Sequence, residues 1–165
     1  MAAFFMNEET KKAYNYILFL ISRQDYSKSK LQKKLNQKGY SKEIIDTVLE
    51  QITDQGIFDE KRYMDSKIRS LAKRNYSKAH IQRFLKNEDL SFENEDIDSM
   101  FIKEAISEED QLNSLIDKKI RKFANESLSK EEKYEIQKKL FSYLHSKGHN
   151  YQKIKTLLTK KLSEI

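Results

Sequence analysis

The chain has 165 residues, 38% of them hydrophobic and 35% charged, with a formal net charge of +6. That is lean for a thick globule and suits helices that each bury one stripe and leave the other faces wet. It contains no cysteine, which excludes disulfides, thiolate metal sites and cysteine nucleophiles and fits a reducing compartment.

The first ten residues, MAAFFMNEET, lack the basic and long apolar regions of a signal peptide. The apolar run Ile17 to Ile21 has five residues, against roughly 20 needed to cross a bilayer. We therefore expect a cytoplasmic chain with no membrane partner. Helical stripes then follow one another along the sequence. Tyr14, Ile17, Leu18 and Ile21 mark the first, Leu31 and Leu35 the second, and Ile45, Val48, Leu49 and Ile52 the third. Met64, Ile68 and Leu71 come next, then Ile97, Met100 and Phe101, then Leu112, Ile116, Ile120 and Phe123. Each is read as a core-facing stripe. Gly39, Gly56 and Gly148 each follow such a stretch and are expected to close a helix in the left-handed conformation. Ser27, Ser41, Asp59, Ser77 and Ser129 are expected N-caps, and Ser129 with Glu132 fits a capping box. Starts and stops together predict about nine helices and no strand.

The sequence also repeats. NYSKAHIQRFL (75–85) echoes DYSKSKLQKKL (25–35), DKKIRKFA (117–124) echoes DSKIRSLA (65–72), and KGHNYQKIKTLL (147–158) echoes KGYSKEIIDTVL (38–49). Leu31 and Leu35 thereby match Leu140 and Leu144, while Ile45 and Val48 match Ile154 and Leu157. The pattern implies three tandem repeats of three helices, at 1–56, 57–106 and 107–165. Helical repeats of this size bury little alone, so one continuous, elongated and curved array is expected rather than independent domains.

Charge is zoned. Residues 1–86 carry 18 basic and 10 acidic side chains, residues 87–110 carry 1 and 10, and residues 111–165 carry 13 and 6. An acidic belt thus separates two basic zones. Lys67, Arg69, Lys73 and Arg74 on the first helix of repeat two correspond to Lys118, Lys119, Arg121 and Lys122 on the first helix of repeat three. Equivalent helices of an array face alike, so these eight are candidate contacts for phosphate or an acidic protein surface. Their plainer role is a solvated face. Tyr26, Tyr76 and Tyr151 are candidates for base stacking, although Tyr26 and Tyr76 precede serine caps and suit a hydrophobic staple. Catalytic chemistry is thin. His145 and His149 have a ligand-like spacing interrupted by Gly148, Asp59 and Glu60 suit a helix start, and three glycines supply no phosphate-cradling loop. No catalytic residue, cofactor or metal is expected.

Y-S-K-x-x-L-x-x-K-L-x-x-K-G-Y (26–40), then I-x-x-V-L-x-x-I (45–52), then GIFDEKRY (56–63) resembles the bacterial RecX family in order and spacing. Gly56, Asp59, Glu60, Arg62 and Tyr63 fill the last family motif; Phe58 replaces the commoner Leu and Lys30 the commoner Glu. The resemblance implies a non-enzymatic regulator of the RecA recombinase, acting in DNA repair and homologous recombination. It implies a monomer lying in the groove of the RecA–single-stranded DNA filament and limiting filament growth, ATP hydrolysis and strand exchange. Weak, non-specific binding of single- or double-stranded DNA is expected beside it. The alternative is a basic helical-repeat protein that binds nucleic acid without RecA.

Overall fold

The computed structural model describes residues 7–123 and 128–163; the N-terminal reading at residues 1–6 and the Ala124 end of one sequence echo lie outside them. The described residues form nine α-helices and no strand. They are α1 (Glu8–Arg23), α2 (Lys28–Gln37), α3 (Lys42–Asp54), α4 (Glu60–Lys73), α5 (Lys78–Asn87), α6 (Asn94–Lys103), α7 (Glu108–Ile120), α8 (Lys130–Ser146) and α9 (Tyr151–Ser163), with a 3-10 turn at Arg121–Phe123 after α7. The fold is all-α, in three consecutive triples of helices.

Capping sets these boundaries. The side chains of Ser27, Ser41 and Ser129 accept the backbone N–H groups of Lys30, Ile44 and Glu132, and Asp59 accepts that of Arg62 at 2.9 Å. Each satisfies an amide that the first helical turn leaves without a partner. Glu132 returns the contact to Ser129 N–H at 2.9 Å. A second capping box, Glu93 with Asp96 at the start of α6, has the same logic with a glutamate in the serine's place. At the C-termini, Gly39, Gly56 and Gly148 take φ of +86°, +66° and +86°, and Asn75, Asp89 and Ala105 take the same left-handed role at +59°, +55° and +51°. Asn and Asp tolerate that region through local hydrogen bonding, whereas alanine has no such compensation.

Two compact units are formed, Met1–Ser66 with Lys86–Ser91, and Lys67–Leu85 with Phe92–Ile165. In the first, α1 and α2 pack on α3. Their shared core contains Ala13, Ile17, Leu31, Leu35, Ile45, Val48, Leu49 and Ile52, closed by Phe58. Burial in α1 runs through Thr10, Ala13, Ile17 and Leu20. This corrects the stripe read from sequence, because Tyr14, Leu18 and Ile21 are only half-buried. In the second unit α7, α8 and α9 enclose Leu112, Leu115, Ile116, Ile120, Leu140, Leu144, Ile154, Leu158 and Leu162. Phe123 does not extend this stripe: it is half-buried on the 3-10 turn, where each residue turns by about 120° rather than 100°.

Candidate interaction surface

The two YSK segments do more than cap helices. Ser27 is fully buried and donates its hydroxyl to a Glu88 carboxylate oxygen at 2.7 Å. Lys30 pairs with the other oxygen, and the Tyr63 hydroxyl lies 3.5 Å from the first. Burial pushes the Glu88 carboxyl up, but the hydrogen bonds from Lys30 and Ser27 outweigh it and hold the group below its ordinary value. Burial also raises the Tyr63 phenol to about 12, with the Glu88 charge adding to the effect. Beside this knot Ser29 donates to Asp89 at 2.6 Å. Lys30, the departure from the commoner glutamate, therefore has a physical reason: a second acid there would face a buried carboxylate.

Ser77 occupies the matching place fifty residues on. Its hydroxyl accepts from His80 N–H at 3.2 Å and donates to the Gly148 carbonyl at 2.7 Å, and its own amide donates to the Lys147 carbonyl at 3.0 Å. Two more bonds cross the same joint. His149 meets the Asn75 carbonyl through Nε2 at 3.0 Å, which requires the proton on that nitrogen. Lys147 Nζ donates to the Arg74 carbonyl at 3.0 Å. The corner after α4 is thus fastened to the corner after α8. An added Cβ at Gly148 would stand 2.6 Å from both His80 Cβ and Ser77 Oγ, so no other residue fits there undistorted.

The joint also assembles cations. Lys147 Nζ sits 3.8 Å from the centroid of the Tyr76 ring and 5.9 Å from that of Tyr143. Arg74 approaches Tyr76 at 5.4 Å and Lys119 approaches Tyr143 at 5.1 Å. Distances under about 6 Å hold a cation against the negative face of a ring. The outcome is a strip in the order Arg74, Tyr76, Lys147, Tyr143, Lys119. Among the described residues Arg74, Lys118, Lys119, Arg121, Lys122 and Lys147 make no salt bridge.

The eight cations singled out from the sequence divide unequally. Arg69 and Lys73 both bind Glu104, at 2.8 and 2.7 Å, and Lys73 above all holds that carboxyl below its ordinary value. Lys67 also has a partner. Arg74 lies just past α4, and Arg121 and Lys122 lie on the 3-10 turn beyond α7, not on the helices expected. Lys118 and Lys119 remain exposed on the last turn of α7. Lys147 is the member that sequence reasoning missed, since its role depends on two tyrosines brought together only by folding. Tyr76 has a ring stacked on His80 at 4.3 Å besides carrying Lys147, and Tyr151 is exposed with its edge to Phe141. Much of the acidic belt is engaged internally. Glu88 and Glu104 are paired as described, Asp98 pairs with Lys78 at 2.7 Å, and Glu108 accepts the Lys78 amide at 2.9 Å. Among the motif residues, Asp59 caps α4 and Tyr63 is buried, while Arg62 is exposed beside a cleft of about 230 Å³ lined also by Asp25, Tyr26 and Asp59. Among the described residues no group of acids and histidines could hold a metal ion, and no helix is long and apolar enough to cross a membrane.

Fold and surface together define a class, an all-α protein of three-helix modules carrying a cation–aromatic strip. Comparison with known proteins shows what the chain resembles. A family model described as "RecX, first three-helix domain" matches residues 13–51. Regulatory protein RecX of Pseudomonas fluorescens strain SBW25 is 33% identical over 66 residues, 40% of this chain and 43% of that one. A second Pseudomonas fluorescens RecX is 32% identical over 93 residues, 56% and 59% of the two chains. These alignments therefore span about half the length of those relatives. Regulatory protein RecX of Haemophilus influenzae strain PittEE is 25% identical over 153 residues, 92% of this chain and 96% of that one. The crystal structure of RecX from Lactobacillus salivarius shares the fold with a TM-score of 0.65 at 18% identity, covering 97% of this chain and all of that one. The chain is thus similar to RecX proteins in sequence along most of its length and in fold.

Proposed function

We propose that this chain is a non-enzymatic regulator of the RecA recombinase that binds the RecA–single-stranded DNA filament and limits its growth, ATP hydrolysis and strand exchange. It works as a cytoplasmic monomer, with repeats bounded near residues 56 and 106. Similarity to RecX proteins supports the reading, and one observation carries it on this chain: the strip from Arg74 to Lys119 presents cations with no carboxylate partner among the described residues. Cations of this kind attract phosphate oxygens or an acidic protein surface without reading sequence. The test is filament assembly on single-stranded DNA with the cognate RecA, followed by ATPase rate. A several-fold excess of this protein should lower both, and no change in either would refute the proposal.

The strip also favours the second reading, nucleic-acid binding without RecA. In that case DNA alone should bind tightly at low salt and weaken steeply as salt rises. The Tyr76 and Tyr143 faces already carry Lys147, so phosphate contact rather than base stacking would dominate.

A further inference from the structure

We infer that the joint between the α4–α5 corner and the α8–α9 corner is a clasp that opens when its two histidines take up protons, taking the cation–aromatic strip apart. The strip draws Arg74 and Tyr76 from one corner and Tyr143 and Lys147 from the other. It exists only while Ser77 holds the Lys147 and Gly148 carbonyls and His149 holds Asn75.

Both imidazoles are set against a positive charge. His149 is 4% exposed. Burial disfavours its cation most, Lys147 and Lys153 add to this, and the Asn75 carbonyl and Glu108 oppose it without prevailing. His80 is disfavoured as a cation by burial, then by Arg83 on its own helix and Lys147 at the end of α8. No acid is among the groups acting on His80; its Cβ abuts the Gly148 backbone and its ring stacks on Tyr76 at 4.3 Å, which places it within the joint. Each group is thus harder to protonate in the closed joint than in the open one. A histidine of this kind favours the closed form fully above its ordinary value near 6.5, and that advantage fades as pH falls below it. At pH 5 the preference for the closed joint drops by at most about 30-fold for each histidine.

Hydrogen exchange on the full chain tests this independently of any recombinase. The Ser77 amide, bonded to Lys147, should lose protection on going from pH 7.5 to pH 5.0 after correction for intrinsic exchange, by up to several hundred-fold. The Leu35 amide within α2 serves as the reference and should lose far less. In the His80→Gln, His149→Gln double variant the loss at Ser77 should shrink to that of Leu35. Equal protection of Ser77 at the two pH values in the parent, or an undiminished loss in a folded double variant, overturns the clasp. If the double variant does not fold, imidazole proton shifts of the parent decide. Both histidines titrating below 6.5 sustains the proposal, and either titrating at or above it overturns it.

Discussion

Gly39 and Gly148 occupy the same place in their repeats and the same backbone conformation, φ +86°, yet replacing each with alanine should have very different results. At Gly39 nothing lies within 4 Å of an added Cβ, so the cost is that of an L-residue in the left-handed region, about 1 kcal/mol. At Gly148 the same cost applies, and the Cβ also meets His80 Cβ and Ser77 Oγ at 2.6 Å and Arg83 Nη2 at 3.1 Å. The arginine end can move aside. The other two sit on the first turn of α5 or at its cap, so the corner itself must shift. Overpacking of this kind costs about 1–3 kcal/mol, and the two bonds from Ser77 add about 1 kcal/mol each if they stretch and break. The sum is about 2–6 kcal/mol for Gly148→Ala, depending on whether the two bonds break, against about 1 kcal/mol for Gly39→Ala. Urea unfolding followed by helical circular dichroism and by tyrosine fluorescence measures both; with nine tyrosines and no tryptophan, the second probe reports Tyr76 and Tyr143 among others. If the two variants lie within about 0.5 kcal/mol of each other, close packing at the joint is not what requires glycine there.

Three further outcomes follow from the same geometry. Ala105→Gly should raise stability by roughly 0.5–1 kcal/mol in thermal or urea unfolding, because φ +51° strains alanine more than the added backbone freedom costs. Lys30→Glu should destabilise by about 2–4 kcal/mol by setting a second carboxylate against buried Glu88, and adding Glu88→Gln should return more than half of the loss; a loss that the second change leaves untouched would exclude charge as its cause. Arg74→Ala, Lys119→Ala and Lys147→Ala together should weaken filament binding at low salt about tenfold or more, mainly through association rate, whereas Arg69→Ala with Lys73→Ala should change it by less than about threefold, because those two side chains are held by Glu104. Equal effects of the two sets would mean that the strip is no more than solvated surface.

Helix boundaries were legible because their causes are local. A serine that accepts the amide three residues ahead, or a glycine that relieves a left-handed turn, acts within one turn of helix, so Ser27, Ser41, Ser129, Gly39 and Gly56 act as their spacing implies. Ala105 left no trace, since nothing in an alanine side chain favours φ +51°; the hydrogen bond from Ile106 N–H to the Phe101 carbonyl at 2.8 Å holds the turn instead. The repeat was legible for the same reason as the stripes: apolar periodicity at equal offsets needs no knowledge of what lies opposite. Charge was the weak point. Which cations are free depends on which acids fold beside them, and Arg69, Lys73 and Lys30 find theirs in Glu104 and Glu88, between 31 and 58 residues along the chain. Lys147 likewise becomes part of a surface only because Ser77, 70 residues earlier, holds its carbonyl and brings Tyr76 beneath its ammonium. Local hydrogen bonding and periodic burial determined the helices, their order and the family pattern. Long-range packing, which sets distances no spacing rule contains, decided which charges remain available and how one corner closes on another.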